Sequence, residues 1–252
     1  MKIKEVIARI LFYVSVPKCV NCKAKLDYED IGLCKECYKT YNSHKERNCP
    51  HCAKALSRCF CSYDKLKAHG IKNLVKLFRY SKTDESMPSN YLIYSLKRDN
   101  RGDVLSFLSD ELADAMKATI DFSKGKYVIT NVPRRSKAII NFGYDHAREL
   151  AIAVSKRLGV EYKELLCSKA KRSQKSVYGH ARVENAKFDY RCKKDLSLKG
   201  KKVILIDDIV TTGASMSNCA TLIRGLGARV IIGACLGTAY KEPYIDFKHS
   251  AF

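Results

Sequence analysis

The stretch 203–215 constrains the fold of this 252-residue chain more than any other. It opens with four apolar, mostly β-branched residues, which predicts a strand buried on both faces. We expect this strand to end at two adjacent carboxylates, Asp207 and Asp208, and a short loop and an amphipathic helix near Ser215 to follow. Because a buried strand that leads into a helix is the unit of an α/β domain, the stretch predicts an α/β fold with a parallel sheet.

The loop after the two carboxylates has the composition of an anion-binding loop. Free N–H groups and the positive end of the helix dipole favour an anion at a helix N-terminus. Gly213 allows close approach of the backbone, and Thr211 and Thr212 add hydroxyl donors. Since carboxylates repel phosphate, we expect sugar hydroxyls or a bound Mg²⁺ beside Asp207 and Asp208. The alternative is an ordinary strand, turn and helix. The loop is not a P-loop, because no lysine follows the glycine.

The same stretch resembles the motif that binds phosphoribosyl pyrophosphate (PRPP) in the type I phosphoribosyltransferases. In that family the paired acids hold the 2- and 3-hydroxyls of the ribose, and the loop binds the 5-phosphate. The resemblance implies that Asp207 and Asp208 are the catalytic pair. It also implies that PRPP contacts both acids and the residues after them, which are Ile209, Val210, Thr211, Thr212, Gly213, Ala214 and Ser215.

A second strand, predicted at 126–132, leads into a basic loop with Arg134, Arg135 and Lys137. Because strand ends face the ligand crevice in an open α/β sheet, these cations indicate a pyrophosphate site. A solvated basic loop is the alternative. Further along, the pattern predicts a helix at 145–158 and a strand at 229–236. Between them lies a basic loop at 168–185, which either closes over a polyphosphate or has no catalytic role.

Eight of the twelve cysteines lie between positions 19 and 61, and they are spaced in close pairs. Two such pairs complete one tetrahedral thiolate site, so sequential pairing predicts two structural zinc sites. The first would use Cys19, Cys22, Cys34 and Cys37, and the second Cys49, Cys52, Cys59 and Cys61. Disulfides of a secreted protein and a redox pair are the alternatives, as is replacement of one ligand by His44 or His51.

The charge balance favours a polyanionic partner, because 47 Lys+Arg against 26 Asp+Glu give a net charge of +21. A lysine-rich surface without such a partner is the alternative. Basic residues that alternate with tyrosines from Arg79 to Arg101, among them Lys97 and Arg98, indicate either base stacking on single-stranded nucleic acid or an ordinary helix surface.

The apolar segments are too short to span a membrane, since no run reaches about 18 residues. We therefore expect a cytoplasmic protein. Residues 3–14 have helical apolar spacing, which predicts a helix packed on the protein, with contact to the inner face of the membrane as the alternative. The expected domains are 1–64, with this helix and the zinc sites, and 65–252, with the α/β sheet.

Over most of its length the chain resembles the ComF family of phosphoribosyltransferase-like competence proteins. The family usually has Phe-Asn-Gln in one turn where this chain has Tyr144, Asp145 and His146. The resemblance rests on the cysteine pairs, on Leu96-Lys97 with Gly102-Asp103, on Val132-Pro133-Arg134 with Gly143-Tyr144, and on Ser173-Gln174, Arg182, Asn185 and Phe188 before the stretch 203–215.

The resemblance implies a type I phosphoribosyltransferase fold and a bacterial cytosolic role in DNA uptake and natural transformation. It also implies PRPP with Mg²⁺ as ligand, single-stranded DNA as partner, and helicase or recombination proteins as further partners.

Two functions stay open. One is a PRPP-binding factor that handles single-stranded DNA. The other is an active Mg²⁺-dependent phosphoribosyltransferase, which transfers ribose 5-phosphate to a nucleobase-like acceptor while the cations at 134–137 stabilise the departing pyrophosphate. The sequence has no evident acceptor site, which favours the first.

Overall fold

The computed structural model describes residues 16–81, 87–134, 143–168, 188–191 and 197–239. The central strands are β1 (Asn73–Arg79), β2 (Tyr127–Asn131), β3 (Glu161–Tyr162), β6 (Lys202–Val210) and β7 (Val230–Thr238). They form a five-stranded sheet in the order β1-β7-β6-β2-β3, with every pairing parallel. Two short strands, β4 (Leu166–Ser168) and β5 (Phe188–Tyr190), form a separate antiparallel pair.

The helices are α1 (Lys35–Lys45), α2 (Asp64–Ala68), α3 (Pro88–Tyr94), α4 (Gly102–Thr119), α5 (His146–Leu158) and α6 (Ala214–Gly225). A π-turn at Ser95–Asp99 continues α3 directly, and 3₁₀ turns lie at Leu56–Arg58 and Phe122–Lys124. Within the described ranges, no helix has the length and apolar character needed to cross a membrane. The helix predicted at 3–14 and the loop positions 169–185 lie outside these ranges.

Strand β6 is buried on both faces, which explains its unbroken apolar sequence. Ile204 and Ile206 belong to the apolar cluster that includes α4 and α5, whereas Val203 and Leu205 belong to the cluster that includes α6. All four side chains are fully buried. Helices that cover both faces of a parallel sheet are the arrangement that such continuous apolar strands require. The prediction of an α/β fold with a parallel sheet between helices is therefore confirmed.

Strands β6 and β7 extend further at their C-terminal ends than their apolar patterns predict. Strand β6 passes through Asp207 and Asp208 and ends at Val210, because β7 pairs with it as far as Thr238. The expectation that the strand ends at the carboxylates is wrong, since ladder pairing satisfies backbone groups beyond the apolar run. Residues 73–79, for which the sequence pattern predicts no strand, form the edge strand β1.

The first part of the cysteine-rich segment shares its apolar core with the sheet. Tyr41 of α1 is fully buried in the same cluster as Phe78 of β1, and its ring centroid lies 6.0 Å from that of Phe78. The Tyr41 hydroxyl donates to the Glu111 carboxylate of α4 at 3.1 Å, and Lys45 forms an ion pair with the same carboxylate at 2.6 Å. The chain on both sides of the predicted boundary at 64 therefore packs as one body.

Arg157 joins α5 to α4, so its removal should lower stability. Its guanidinium forms an ion pair with Asp110 and donates to the carbonyl and hydroxyl oxygens of Ser106, at 3.0 and 2.8 Å. We expect Arg157→Ala to lower the free energy of unfolding by about 1–2 kcal/mol, measured by chemical denaturation. Lys156→Ala, at an exposed position of the same helix, should change it by less than about 0.5 kcal/mol. Equal losses in both variants would contradict this role.

Candidate functional site

A cavity of about 280 Å³ opens where β2 and β6 end. This edge is where ligands of open α/β sheets bind, because strand ends and helix N-termini meet there. The cavity wall combines three carboxylates, two cations and two hydroxyls. These polar lining residues are Lys97, Arg134, Asp145, Ser168, Asp207, Asp208 and Ser215.

Asp207 and Asp208 stand side by side on β6, each held by a backbone group. The Asp207 carboxylate accepts from the N–H of Asp208 at 2.9 Å, and the Asp208 carboxylate accepts from the N–H of Ile209 at 2.6 Å. Burial raises the pKa of Asp207 well above its usual range, and the neighbouring Asp208 charge adds to this, whereas the N–H of Asp208 and the ammonium of Lys97 oppose it. A hydrogen-bond donor or a cation that comes with a ligand would stabilise the ionised form of these two carboxylates.

Lys97 provides the cation that faces Asp208. Its Nζ lies 2.9 Å from Oδ2 of Asp208, and the two side chains are only 27% and 17% exposed. Lys97 lies in the π-turn, which ends on Asn100 with a positive φ of 50°. Sequence reasoning placed Lys97 on a helix surface or against DNA bases, and it missed this contact. The signal available in the sequence was the Leu96-Lys97 block, and the structure adds a π-turn, which often marks a functional site.

The predicted loop forms a turn that leads directly into α6. Gly213 has a φ of +74°, and a Cβ there would lie 2.9 Å from Cδ2 of Leu66. Both the dihedral angle and the neighbour therefore require glycine. Thr211 and Thr212 are exposed, and Ser215 lines the cavity one residue after the helix begins. The other predicted residues of this stretch are Ile209, which lines the cavity, Val210, which ends β6 and is buried, and Ala214, which begins α6.

The basic loop after β2 reaches the cavity through Arg134. Its backbone N–H donates to Oδ2 of Asp145 at 3.0 Å, and its guanidinium contacts Nδ1 of His146. Arg135 and Lys137, the other predicted cations of this loop, lie outside the described residues. The structure therefore brings one of the three predicted cations together with the carboxylate pair.

The turn before α5 joins this loop to the π-turn. Asp145 caps α5 by accepting from the N–H of Arg148 at 3.1 Å. The Tyr144 hydroxyl donates to the carbonyl of Leu96 at 2.8 Å, and Nε2 of His146 lies 3.1 Å from the carbonyl oxygen of Lys97. The sequence left open what this turn contacts, because its residues depart from the family pattern.

The eight paired cysteines gather into the two expected groups of four. Within each group all sulfur atoms lie within 4.8 Å of one another. Cys22 and Cys34 are 3.6 Å apart, and Cys52 and Cys59 are 3.7 Å apart. A zinc tetrahedron with Zn–S bonds of about 2.3 Å has S···S edges of about 3.8 Å, whereas a disulfide needs about 2.05 Å. The sulfur positions therefore fit a metal and not disulfides, and neither group includes a histidine.

A buried lysine connects the second cysteine group to the sheet. Lys76 of β1 is only 4% exposed, and its Nζ donates to Sγ of Cys59 at 3.2 Å and to the carbonyl of Cys61 at 2.8 Å. In the ladder, Lys76 lies opposite Cys235, which in turn lies opposite Asp207. These paired residues form one row across three strands, which runs from Lys76, the contact of the second cysteine group, to Asp207 of the carboxylate pair.

Comparison with known proteins identifies the domain and its relatives. Residues 145–245 match the family model for the phosphoribosyl transferase domain. Competence protein ComFC of Streptococcus pneumoniae is 28% identical over 210 residues, which cover 80% of this chain and 85% of that protein. DNA utilization protein YhgH of Escherichia coli K12 is 22% identical over 224 residues, which cover 86% and 95%. A purine phosphoribosyltransferase structure from Pyrococcus horikoshii aligns with 20% identity and a TM-score of 0.36, over 55% of this chain and 76% of that one.

The matched segment contains the carboxylate pair, the Gly213 turn and helices α5 and α6. The sheet that carries them is parallel and covered on both faces, as the type I phosphoribosyltransferase fold requires. The similarity to ComFC and YhgH extends beyond the matched segment, since it covers 80% and 86% of the chain. This chain is therefore similar to ComF-type proteins over most of its length, and its residues 145–245 match the phosphoribosyl transferase domain.

Proposed function

We propose that this protein binds PRPP together with Mg²⁺ in the cavity at the ends of β2 and β6, and that it acts in DNA uptake. One observation carries the proposal: a paired carboxylate, a glycine turn at a helix N-terminus and two cations meet at one cavity. PRPP presents sugar hydroxyls, which donate to carboxylates, and phosphates, which accept from cations and N–H groups. PRPP therefore has a group for each kind of partner in this cavity.

Each part of PRPP has a matching group in this chain. The carboxylates of Asp207 and Asp208 accept from the ribose hydroxyls. The N–H groups of the first turn of α6, after Gly213, receive the 5-phosphate, because they have no partner within the helix. Arg134 faces the pyrophosphate, with Arg135 and Lys137 as further candidates on the same loop.

The carboxylate oxygens also suit Mg²⁺, a hard cation that prefers oxygen ligands. Asp207 and Asp208 would hold the ion together with the oxygens of PRPP itself. Bound there, Mg²⁺ supplies positive charge that offsets the pyrophosphate next to the two acids. The protein's own contribution is to keep these acids paired with Lys97 and backbone donors, so that they stay in place before the ligand arrives.

Transfer of ribose 5-phosphate to an acceptor is the second candidate function. It is supported by Arg134, a cation on the side of the cavity where departing pyrophosphate gains negative charge. The deciding experiment is incubation with PRPP, Mg²⁺ and a panel of bases, nucleosides and DNA, with release of pyrophosphate as readout. Release with one acceptor supports transfer, and PRPP binding without release supports a binding protein.

The PRPP site predicts a strong dependence on the two acids. We expect Asp207→Asn and Asp208→Asn each to weaken Mg²⁺-PRPP binding by about 10- to 100-fold, because each removes a charged hydrogen-bond acceptor. Isothermal titration calorimetry measures the dissociation constants. Asp114→Asn is the matched control, since that acid is 75% exposed on α4 and pairs with Lys117 of its own helix. Unchanged affinity in both site variants would contradict the assignment.

Single-stranded DNA is the proposed macromolecular partner, with competence helicase or recombination proteins implied by the family resemblance. The relatives named for competence and for DNA utilization support this role, as does the net charge of +21. A cytoplasmic location is part of this proposal, because this role and cysteines that are not joined in disulfides are typical of that compartment.

Binding to DNA through positive charge should depend steeply on salt. We expect the logarithm of the affinity for a single-stranded oligonucleotide to fall linearly with the logarithm of salt concentration, with a slope of about −0.7 per phosphate neutralised. Fluorescence anisotropy over a salt series measures the slope. Little response to salt would argue against an electrostatic DNA surface.

We further propose that each cysteine group holds one structural zinc ion, and that Lys76 stabilises the second. A zinc bound by four thiolates carries a net charge of −2, which an ammonium at 3.2 Å from Cys59 partly offsets. Lys76→Met should weaken metal binding at that group by about 10- to 100-fold, as loss of partners to metal ligands does. Co²⁺ substitution reports this as faster metal loss to a chelator and a shifted thiolate absorption band. Lys72→Met, at an exposed position just before β1, is the control, and equal release from both variants would contradict the role.

A further inference from the structure

We propose that His146 is a positioning residue, whose two ring nitrogens hold Arg134 and the π-turn of Lys97 in the one arrangement that receives the ligand. The inference rests on the PRPP site proposed above and adds to it a residue that neither the motif nor the basic loop contains. His146 begins α5 and has no solvent exposure.

The contacts of His146 determine its hydrogen-bonding state. Its Nε2 faces the carbonyl oxygen of Lys97 at 3.1 Å, and a carbonyl can only accept, so Nε2 carries the proton. Its Nδ1 faces the guanidinium of Arg134, which can only donate, so Nδ1 is the acceptor. The neutral ring with its proton on Nε2 is the one form that satisfies both neighbours.

The surroundings of the ring favour this neutral form. Burial lowers the pKa of His146 first, the charge of Arg134 lowers it further, and Asp208 opposes both. The Tyr144 ring stacks obliquely on the imidazole, with centroids 4.4 Å apart. The titratable and charged groups that act on the ring from the adjoining segments are Arg134 after β2, Lys97 of the π-turn, Asp208 of β6, and Tyr144 before α5. Asp145, the residue before His146, instead accepts from the backbone N–H groups of Arg134 and Arg148.

The position of His146 matters because its two partners serve opposite ends of the ligand. Arg134 is the described cation for the pyrophosphate, and Lys97 neutralises Asp208, one of the two acids for the ribose. The His146 ring therefore fixes the distance between Arg134, the cation for the pyrophosphate, and Lys97, which pairs with Asp208. Fixing such groups in advance lowers the entropy that binding would otherwise cost.

Protonation would break this link. An imidazolium carries a proton on both nitrogens, so Nδ1 would become a donor that faces another donor, next to a like charge. The folded protein therefore binds the ligand best above the pKa of His146 and loses this arrangement as the pH falls through it. Since that pKa lies below the ordinary histidine value, the loss belongs to the acidic side of neutrality.

The test is Mg²⁺-PRPP affinity, measured by calorimetry between pH 8 and about pH 5.5, for the wild type, His146→Gln and His146→Leu. Glutamine offers one acceptor and one donor group without titrating, so we expect it to bind within about threefold of the wild type at pH 8. Leucine offers neither, so we expect at least about tenfold weaker binding. Protonation of the phosphates, near pH 6, weakens binding in every variant. The expected signature is a steeper acidic loss in the wild type than in His146→Gln.

The outcomes separate this inference from the proposed function. Parallel curves for wild type and His146→Gln, or full affinity of His146→Leu at pH 8, would overturn the role of His146 and leave the PRPP site intact. Absence of PRPP binding by the wild type at every pH would overturn both. His69→Leu is the matched control and should bind normally, because His69 contacts the carbonyl of Lys65 within α2 and does not line the cavity. If His146→Leu fails to fold, the comparison of wild type with His146→Gln decides.

Discussion

The structure depends on the energetic cost of placing two adjacent carboxylates near the end of β6, a strand whose preceding residues are buried on both faces. Leu205 and Ile206 are fully buried, and the next two residues along the chain are Asp207 and Asp208. Charges at the edge of an apolar core are costly unless they are paired or accept hydrogen bonds. Two backbone N–H groups and the ammonium of Lys97 meet part of this need. A ligand with hydroxyl groups, bound together with a cation, can supply the remaining hydrogen bonds and positive charge.

Meeting that need requires segments from distant parts of the chain. The π-turn after α3 supplies Lys97, the loop after β2 supplies Arg134, and the start of α5 supplies Asp145 and His146. The side chains of Asp145 and His146 bind backbone groups of the other segments, and His146 also contacts the guanidinium of Arg134. The cavity is therefore built as one connected unit, and a change in the turn before α5 reaches both its acids and its cations.

The cysteine groups are connected to the same framework and are not a detached module. The first shares an apolar cluster with the sheet through Tyr41 and Phe78, and the second receives Lys76 from the edge strand. Because Lys76 lies in the same sheet row as Asp207, loss of order at the second group would disturb the strand next to β7. A metal held there would thus support the sheet that carries the proposed PRPP site.

The sequence by itself determined those features that depend only on residues close together along the chain. The apolar run of β6, the acids after it, the Gly213 turn and the paired cysteines are local patterns, and each requires only its own neighbours to be recognised. The tertiary structure alone decided the partners: Lys97 for Asp208, His146 for Arg134, and Lys76 for Cys59. It also decided that β6 runs on through the acids, since pairing with β7 sets that length. These features depend on side chains and strands that are remote in sequence, and only packing of the whole chain brings them within hydrogen-bond distance.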